Sequence, residues 1–554
     1  MKDNLSAQIV LSRVPSKYYR PASAVEAVRL TRQEKIKTTI VENATEGSEL
    51  VANMIIERIM KADTPSFTVT LSTGRTLVDV RPRLTGVQSQ ATFIDWQDDA
   101  FFPDDQPLDL LVLGIGRVGE IGGQGLRAMM RAKEVILVGW GEHKAQAVAD
   151  AVEGEVKDIC PASKLQFHDN AQLVCDLNAA QYLTRIQHPW LVTQCDWNDQ
   201  LTRRAIVWLC QQTGKPILKL TNKDYADNSL SELITLYGSA YNCNIKVFND
   251  IQHTITGWPG GKPNADDSAR PERAKPYPKD ILIFSPHPDD DVISMGGTFQ
   301  RLINQHHNVH IAYETSGCIA VDDGHLQYFL DFINGLPAVN LHTTILNPQS
   351  SILNPQSFSQ REILDLKALI RRGEATAADR FMGLAEDHIH FLNLPFYETG
   401  TIKKNNLSQA DVDIVKQLLL DIKPQEMFVA GDLADPHGTH KVCLDAVLAA
   451  IDELKDTEAW LRDCRIWMYR GAWMEWGVDL IEMVVPLSPE ELRHKRNTIL
   501  RHQSQMESAP FLGDDERLFW QRAEDRNHAT AQLYCDLGLA NYEAMEAFVQ
   551  YRLG

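Results

Sequence analysis

Short runs dominated by apolar residues, separated by longer segments of helical spacing, recur in two stretches of this chain. In the first, runs at 67–71, 110–113 and 134–138 predict strands, while 46–60 and the segment from Gly139 through about 152 predict helices. In the second, 281–285, 309–313 and 427–430 predict strands and 363–381 a helix. Strands alternating with helices imply a parallel or mostly parallel sheet. Between the two stretches, 184–256 predicts two helical segments and two apolar strands, 217–220 and 245–248. Then comes Gly257-Trp258-Pro259-Gly260-Gly261-Lys262-Pro263, with further prolines at 271, 276 and 278, a composition that reads as a linker. Residues 1–36 have little periodicity and read as a polar lead-in. A tandem duplication, 345–350 and 352–357, is expected to be a loose surface loop.

The expected fold class is α/β. Two Rossmann-like modules with mostly parallel sheets, at 37–183 and 281–554, are joined by an α/β bridging segment at 184–256 and the Pro/Gly-rich linker at 257–280. A length of 554 residues leaves room for about three domains. Hydrophobic residues at 44% and charged residues at 23% are ordinary for a globular protein. The net charge of −19 argues against nucleic acid as a partner, while leaving local basic pockets for small phosphates open. No apolar run approaches the ~20 residues that span a bilayer, so no membrane partner is expected. Residues 1–20 lack the apolar core of a secretory signal. The nine cysteines are dispersed without a CxxC pair; they are expected as reduced thiols in a cytoplasmic protein and make a cysteine metal site improbable.

Candidate chemistry lies just beyond two of the expected strands. His287-Pro288-Asp289-Asp290-Asp291 follows 281–285, and Asp435-Pro436-His437-Gly438-Thr439-His440 follows 427–430. Ligands of open parallel sheets bind beyond the carboxyl ends of strands, so both loops are expected at one edge. Two histidines and one carboxylate suffice for a catalytic zinc that keeps a fourth position for water. A further carboxylate beside the ion can take the proton of that water. Iron or another divalent first-row ion suits the same ligands.

On these motifs the segment from Ile281 to the C-terminus resembles the PIG-L/LmbE family of zinc-dependent N-acetylglucosaminyl deacetylases. The resemblance implies His287, Asp290 and His440 as Zn2+ ligands, Asp289 as general base and His437 as the group that stabilises the oxyanion. Asp291 stands where the family commonly has Glu, and Thr439 where it commonly has Asp. Arg371 and Glu374 resemble the family's Arg-x-x-Glu helix lining the sugar pocket, and Glu398 stands where an acidic sugar contact is placed. Lys495 and His502-Gln503-Ser504-Gln505 match a late family pattern, expected to give structural support.

The stretch 41–183 resembles glucosamine-6-phosphate deaminases and their 6-phosphogluconolactonase relatives, through Ser72-Thr73-Gly74-Arg75-Thr76, Leu113-Gly114-Ile115-Gly116 and Gly141-Glu142-His143-Lys144-Ala145. The resemblance implies a sugar-phosphate site at Thr73, Gly74, Arg75, Thr76 and Lys144, with the 72–76 turn offering backbone N–H groups at a helix N-terminus. The family's catalytic Asp, His and Glu are replaced here by Val118, Glu120 and Gly125. The family's Asp-Glu-Tyr region is shortened, and Asp95, Asp98 and Asp99 lack its context. The combination resembles bacterial fusion proteins labelled glucosamine-6-phosphate deaminase. The leading expectation is a zinc-dependent deacetylase of an N-acetylated amino sugar with an appended sugar-phosphate-binding module. An amino-sugar deaminase/isomerase and a catalytically silent sugar-phosphate regulator are the alternatives. A small-molecule amino sugar or sugar phosphate is the expected partner, and a homo-oligomer the expected assembly.

Overall fold

The computed structural model describes residues 14–62, 67–96, 108–116, 129–335, 358–431, 438–471, 474–506 and 517–553. The chain divides into two compact units between Asn198 and Asp199. Both are α/β with mostly parallel sheets.

The N-terminal unit is built on six strands: β1 (Lys37–Val41), β2 (Thr68–Ser72), β3 (Thr92–Trp96), β4 (Leu110–Gly114), β5 (Glu134–Gly139) and β6 (Ala171–Asp176). Their order is β1-β6-β5-β4-β2-β3, every pair parallel. Leu111, Leu113, Val135 and Leu137 enter one core, and Leu110, Val112, Ile136 and Val138 the other. Apolar side chains on both faces are why these strands read as unbroken apolar runs. The helix α1 (Ala44–Lys61), capped by Asn43 accepting from Glu46 N, covers one face, and α2 (Ala145–Val152) the other. Residues 14–36, expected as a polar lead-in, are part of the fold. Tyr18, Tyr19, Leu30 and Ile36 all enter the core shared with α2.

The C-terminal unit begins with helices. The strands expected at 217–220 and 245–248 are corrected: the first is a 3-10 turn (Ile217–Lys219), and the second lies inside the helix α3 (Ala240–Gln252). The run Ile245 to Phe248 was a slice of an amphipathic helix, since Cys243, Val247 and Ile251 are buried at a spacing of four. The whole of 184–256 is free of strands, so an α/β bridging segment is replaced by a helical one, most of it grouped with the C-terminal unit. The stretch 257–280 is packed against that unit as well. Lys279 is buried, and its ammonium donates to the carbonyls of Gly260 and Arg273.

The seven-stranded sheet comprises β7 (Asp280–Ser285), β8 (Asn308–Tyr313), β9 (Ile389–Phe391), β10 (Glu426–Ala430), β11 (Arg465–Tyr469), β12 (Met483–Leu487) and β13 (Ala544–Tyr551). Their order is β12-β13-β11-β10-β7-β8-β9, with only the contacts of β13 antiparallel. From β7 the chain passes through α4 (Asp290–Asn304) to β8 on one side, while β10, reached much later, pairs with the other side. The strand order therefore reverses between β7 and β10, and in open α/β sheets ligands bind beyond the strands' carboxyl ends at such a reversal. The long helices α5 (Gln360–Met382) and α6 (Thr439–Leu454) start or pass near that edge.

One buried ion pair organises the helical layer. Lys495 Nζ lies 2.6 Å from Glu546 Oε1 and 2.8 Å from Asn527 Oδ1, with neither charged side chain exposed. The other Glu546 oxygen accepts from Thr298 N and Oγ1, and Oε1 also accepts from Gly297 N. These donors are available because α4 kinks at Met295. A Cβ on Gly297 would meet the Leu487 side chain at 2.5 Å, so a larger residue there would have to displace that leucine. None of the nine cysteines forms a disulfide, and eight are buried. Among the described residues no helix is long and apolar enough to cross a membrane.

Candidate metal centre

Strand β7 delivers the chain into a tight turn held from three sides. Ser285 Oγ donates to His287 O at 2.6 Å, Thr315 Oγ1 donates to Pro286 O at 2.7 Å, and Tyr469 donates to Phe284 O at 2.5 Å. Helix α4 then starts at Asp290 with Asp289 at its N-cap. An aspartate there would ordinarily cap the helix with its own carboxylate. Asp289 does not; its Oδ1 instead accepts from Arg371 Nη2 at 3.0 Å, both side chains buried.

From the other side of the reversal, Gly438 adopts φ 68° and turns the chain into α6, whose second residue is His440. Three ligand atoms converge. His287 Nδ1 and His440 Nε2 are 3.2 Å apart, and each is 3.1 Å from Asp290 Oδ2. Among the described residues this is the group of His, Cys, Asp or Glu side chains that gathers its ligand atoms closely enough for a metal ion. Atoms about 2.0–2.1 Å from a tetrahedral ion are about 3.3 Å apart, so the triangle has the right size and chemistry for Zn2+. The donor set fits the expected ion.

Electrostatics separate the three consecutive aspartates. Burial pulls the Asp290 carboxyl upward, but the imidazoles of His440 and His287 win and hold it well below the usual range. Asp289 is raised by burial, against the opposing Arg371 guanidinium. Asp291 is pushed up to about 7 by burial and then by Asp289; it accepts from Ser285 Oγ at 3.2 Å and lies 3.4 Å from the Tyr313 hydroxyl, which donates to Asp379 at 3.0 Å.

The expected sugar contacts are also located. Glu374 is buried, with both oxygens occupied by Ser504: N at 2.7 Å and Oγ at 2.6 Å. Glu398 holds Ser316 in the same way, at 2.8 and 3.0 Å. Arg371 lies beside the ligand triangle through Asp289, and its Nε and Nη1 have no hydrogen-bond partner among the described residues. Lys495 and Ser504 make structural contacts, as the late pattern implied. His437, with Asp435, lies outside the described residues.

Three further residues adjoin the site. Glu314 follows β8 and is fully buried; burial pushes its pKa up to about 8, with His440 opposing. The parallel register Ser285↔Tyr313 sets it beside the metal loop, a signal available only once β7 and β8 are paired. Tyr397 packs its ring edge-on to His287 with centroids 6.0 Å apart. His502 is completely buried, both ring nitrogens lacking a hydrogen-bond partner among the described residues.

At the N-terminal sheet edge, the 72–76 turn runs into a 3-10 turn, Arg75–Leu77, and not into an α-helix. The expected helix N-terminus is thus absent; Pro82 and Gly86 sit in a second 3-10 stretch, Arg81–Val87, where a regular helix would continue. Thr73 and Gly74 are exposed. Trp140 Nε1 donates to Thr76 O at 2.9 Å, which brings that turn beside the 141–144 segment carrying Lys144. Asp95 lies in β3 and pairs with Arg81 at 2.7 Å. Val118, Glu120, Gly125, Asp98, Asp99 and the tandem duplication lie outside the described residues.

Residues 282–451, which contain the ligand triangle, match the PIG-L family, described as GlcNAc-PI de-N-acetylase. The chain therefore carries a PIG-L deacetylase domain behind a glucosamine-6-phosphate deaminase-like N-terminal region. It is 50% identical over 662 residues, covering 100% of both chains, to a Bacteroides thetaiotaomicron protein named "Putative glucosamine-6-phosphate deaminase-like protein", and it belongs to that protein's family. It is also similar to the glucosamine-6-phosphate deaminase of Pseudarthrobacter chlorophenolicus, 55% identical over 60 residues, 11% of this chain and 23% of that one. Among solved structures, N,N'-diacetylchitobiose deacetylase from Pyrococcus horikoshii is 18% identical, covering 49% of this chain and 84% of that one at a TM-score of 0.32.

Proposed function

We propose that the C-terminal unit is a Zn2+-dependent amidohydrolase that removes the acetyl group from an N-acetylglucosamine-type sugar or its conjugate. The observation that carries this reading is the convergence of His287 Nδ1, Asp290 Oδ2 and His440 Nε2 within 3.1–3.2 Å of one another. A bound divalent ion would supply Lewis-acid polarisation of the acetamide carbonyl and acidify a water molecule. Asp289 takes the proton of the attacking water, whose oxygen bonds to the carbonyl carbon. The C–N bond breaks, and the proton passes to the departing nitrogen, leaving acetate and a free amine. Burial of Asp289 supports this role by raising its proton affinity, and Arg371 fixes its orientation. His437 is assigned to the developing oxyanion. Arg371 and Glu398 flank the sugar, while Glu374 acts by anchoring Ser504.

The N-terminal unit is assigned a sugar-phosphate site at Thr73–Thr76 and Lys144, supported by their common position at the carboxyl edge of β2 and β5. A second reading, deamination of glucosamine 6-phosphate in that unit, is favoured by the name of the full-length relative. It is weakened by Val118 and Gly125, which cannot transfer protons. Acetate and ammonia assays on glucosamine 6-phosphate and N-acetylated glucosamine derivatives separate the two. Acetate release that disappears in Asp289→Asn supports the first reading. Ammonia release that survives in Asp289→Asn and vanishes in Glu120→Gln supports the second.

A further inference from the structure

The C-terminal sheet opens a second time, at the opposite ends of its strands. Asp280 begins β7, Glu426 begins β10 and Arg465 begins β11, while antiparallel β13 ends there at Tyr551. Between these ends and the packed stretch 263–279 lies a cavity of about 1340 Å3. Strands of five or six residues place it on the order of 20 Å from the metal loops.

Its wall is strongly cationic in a chain whose net charge is −19. Arg273, Lys275, Lys423, Arg462 and Arg465 all line it. Their side chains make no ion pair or hydrogen bond among the described residues, whereas most other basic groups of this unit are paired. Burial and then the neighbouring Arg273 lower the Arg465 pKa, so like charges crowd one another here. The opposing acids, fewer than the cations, are Glu426 and Asp267, which both act on Arg465, with Glu272 and Asp463 nearby. Glu426 is buried, its pKa raised to about 7, and it accepts from Trp467 Nε1 at 2.7 Å; Asp463 is exposed. The wall is also built. Lys279 ties the carbonyls of Gly260 and Arg273 together, and Tyr277 donates to Gln305 O at 2.5 Å. Trp460 and Tyr551 add flat apolar faces.

Unpaired cations held together by a fixed scaffold repel one another unless an anion lies among them. We propose that this cavity is a binding site for a small phosphorylated molecule carrying at least two negative charges, separate from the metal centre. Guanidinium groups from different elements suit the several oxygens of a phosphate or diphosphate. The aromatic faces would take a sugar or base attached to it.

The test is calorimetric titration of the full chain with pyrophosphate, glucosamine 6-phosphate and ADP. At least one should bind, with affinity that falls as salt rises. Tightest binding of pyrophosphate would identify the phosphates alone as the ligand chemistry, of glucosamine 6-phosphate a sugar phosphate, and of ADP a nucleotide. The pair Lys423→Asn and Arg462→Ala should weaken that binding at least tenfold, and Arg465→Gln should do the same. Lys423 and Arg462 are exposed, and asparagine tolerates the φ of 50° at 423, so their replacement leaves the fold intact. Lys219→Ala, at an exposed lysine of the same unit outside the cavity, should leave this binding unchanged. No heat with any of the three probes overturns the proposal, and so does binding of pyrophosphate or ADP that survives in both cavity variants, or binding of glucosamine 6-phosphate that survives when either cavity variant is combined with Lys144→Ala.

Discussion

The two units start from the same plan, parallel strands whose carboxyl ends run into glycine-bearing turns, and use it differently. In the N-terminal unit one of the buried acids at that edge, beside Glu142, is Asp176. It accepts from Gly141 N at 3.0 Å and Ala179 N at 2.8 Å, so its carboxylate is consumed by the backbone it shapes. In the C-terminal unit Asp290 faces two imidazoles, Asp289 faces a buried guanidinium, and Glu314 lies beside them. Burying ionisable groups costs several kcal/mol each unless they are paired. A cluster of them that points at one spot, rather than at backbone N–H groups, marks a site whose chemistry maintains that cost. Thr73 and Gly74, by contrast, are exposed and cost nothing to keep.

Variants can break this comparison. The largest effect is expected from His440→Ala, which removes one of three ligands: the metal content of the purified protein should fall from about one ion per chain to near zero, and acetate release to background. Full occupancy measured by elemental mass spectrometry would dissolve the contrast between the two edges. Asp289→Asn should keep the ion but lose on the order of 10²–10⁴-fold in turnover; joint loss of ion and turnover would make Asp289 a ligand. Lys495→Met tests whether burial without chemistry also matters. It strands the Glu546 carboxylate, and urea denaturation should report a loss of about 3–5 kcal/mol with metal affinity retained.

A smaller effect is expected from pH. Burial, and then Arg371, push the His502 pKa down to about 3, with Asp290 opposing, so the folded protein keeps this imidazole neutral. The unfolded chain takes the proton at about 6.5. Stability from this group is complete above that pH and is lost on acidification toward 3. His502→Gln should therefore lose about 2 kcal/mol less than the wild type between pH 6.5 and 5, and parallel curves for the two proteins would refute the assignment. Smallest is Lys144→Ala, which should weaken binding of glucosamine 6-phosphate at the N-terminal edge about tenfold, near the contribution of one charged hydrogen bond. Unchanged affinity would leave that edge without its proposed ligand.

The two candidate loops were legible in the sequence because each follows an apolar run, and the parallel-sheet rule needs only that order; which of their side chains would be ligands came from the resemblance to the PIG-L/LmbE family. Glu314 was not, because its position depends on which strand pairs with β7, and that register is nonlocal. The segment 245–248, three apolar residues around Lys246, reads as a strand by itself, but Ser239, which accepts from Asn242 N, and the buried face at 243, 247 and 251 make it a helix. Strand β13 escaped notice for a related reason: Glu546 interrupts its apolar run, and the lysine that neutralises it is 51 residues away in the chain. At the 72–76 turn only the helix expected after it was misread, since the residues that follow form 3-10 turns.

The most direct test of the account is acetate release by the full chain, measured beside its metal content. Wild-type protein should release one acetate for each free amine formed from an N-acetylated glucosamine derivative, lose that activity on chelation and recover it with added Zn2+. Full activity in the chelated protein, or ammonia in place of acetate, would contradict the assignment of His287, Asp290 and His440 as the centre of the chemistry.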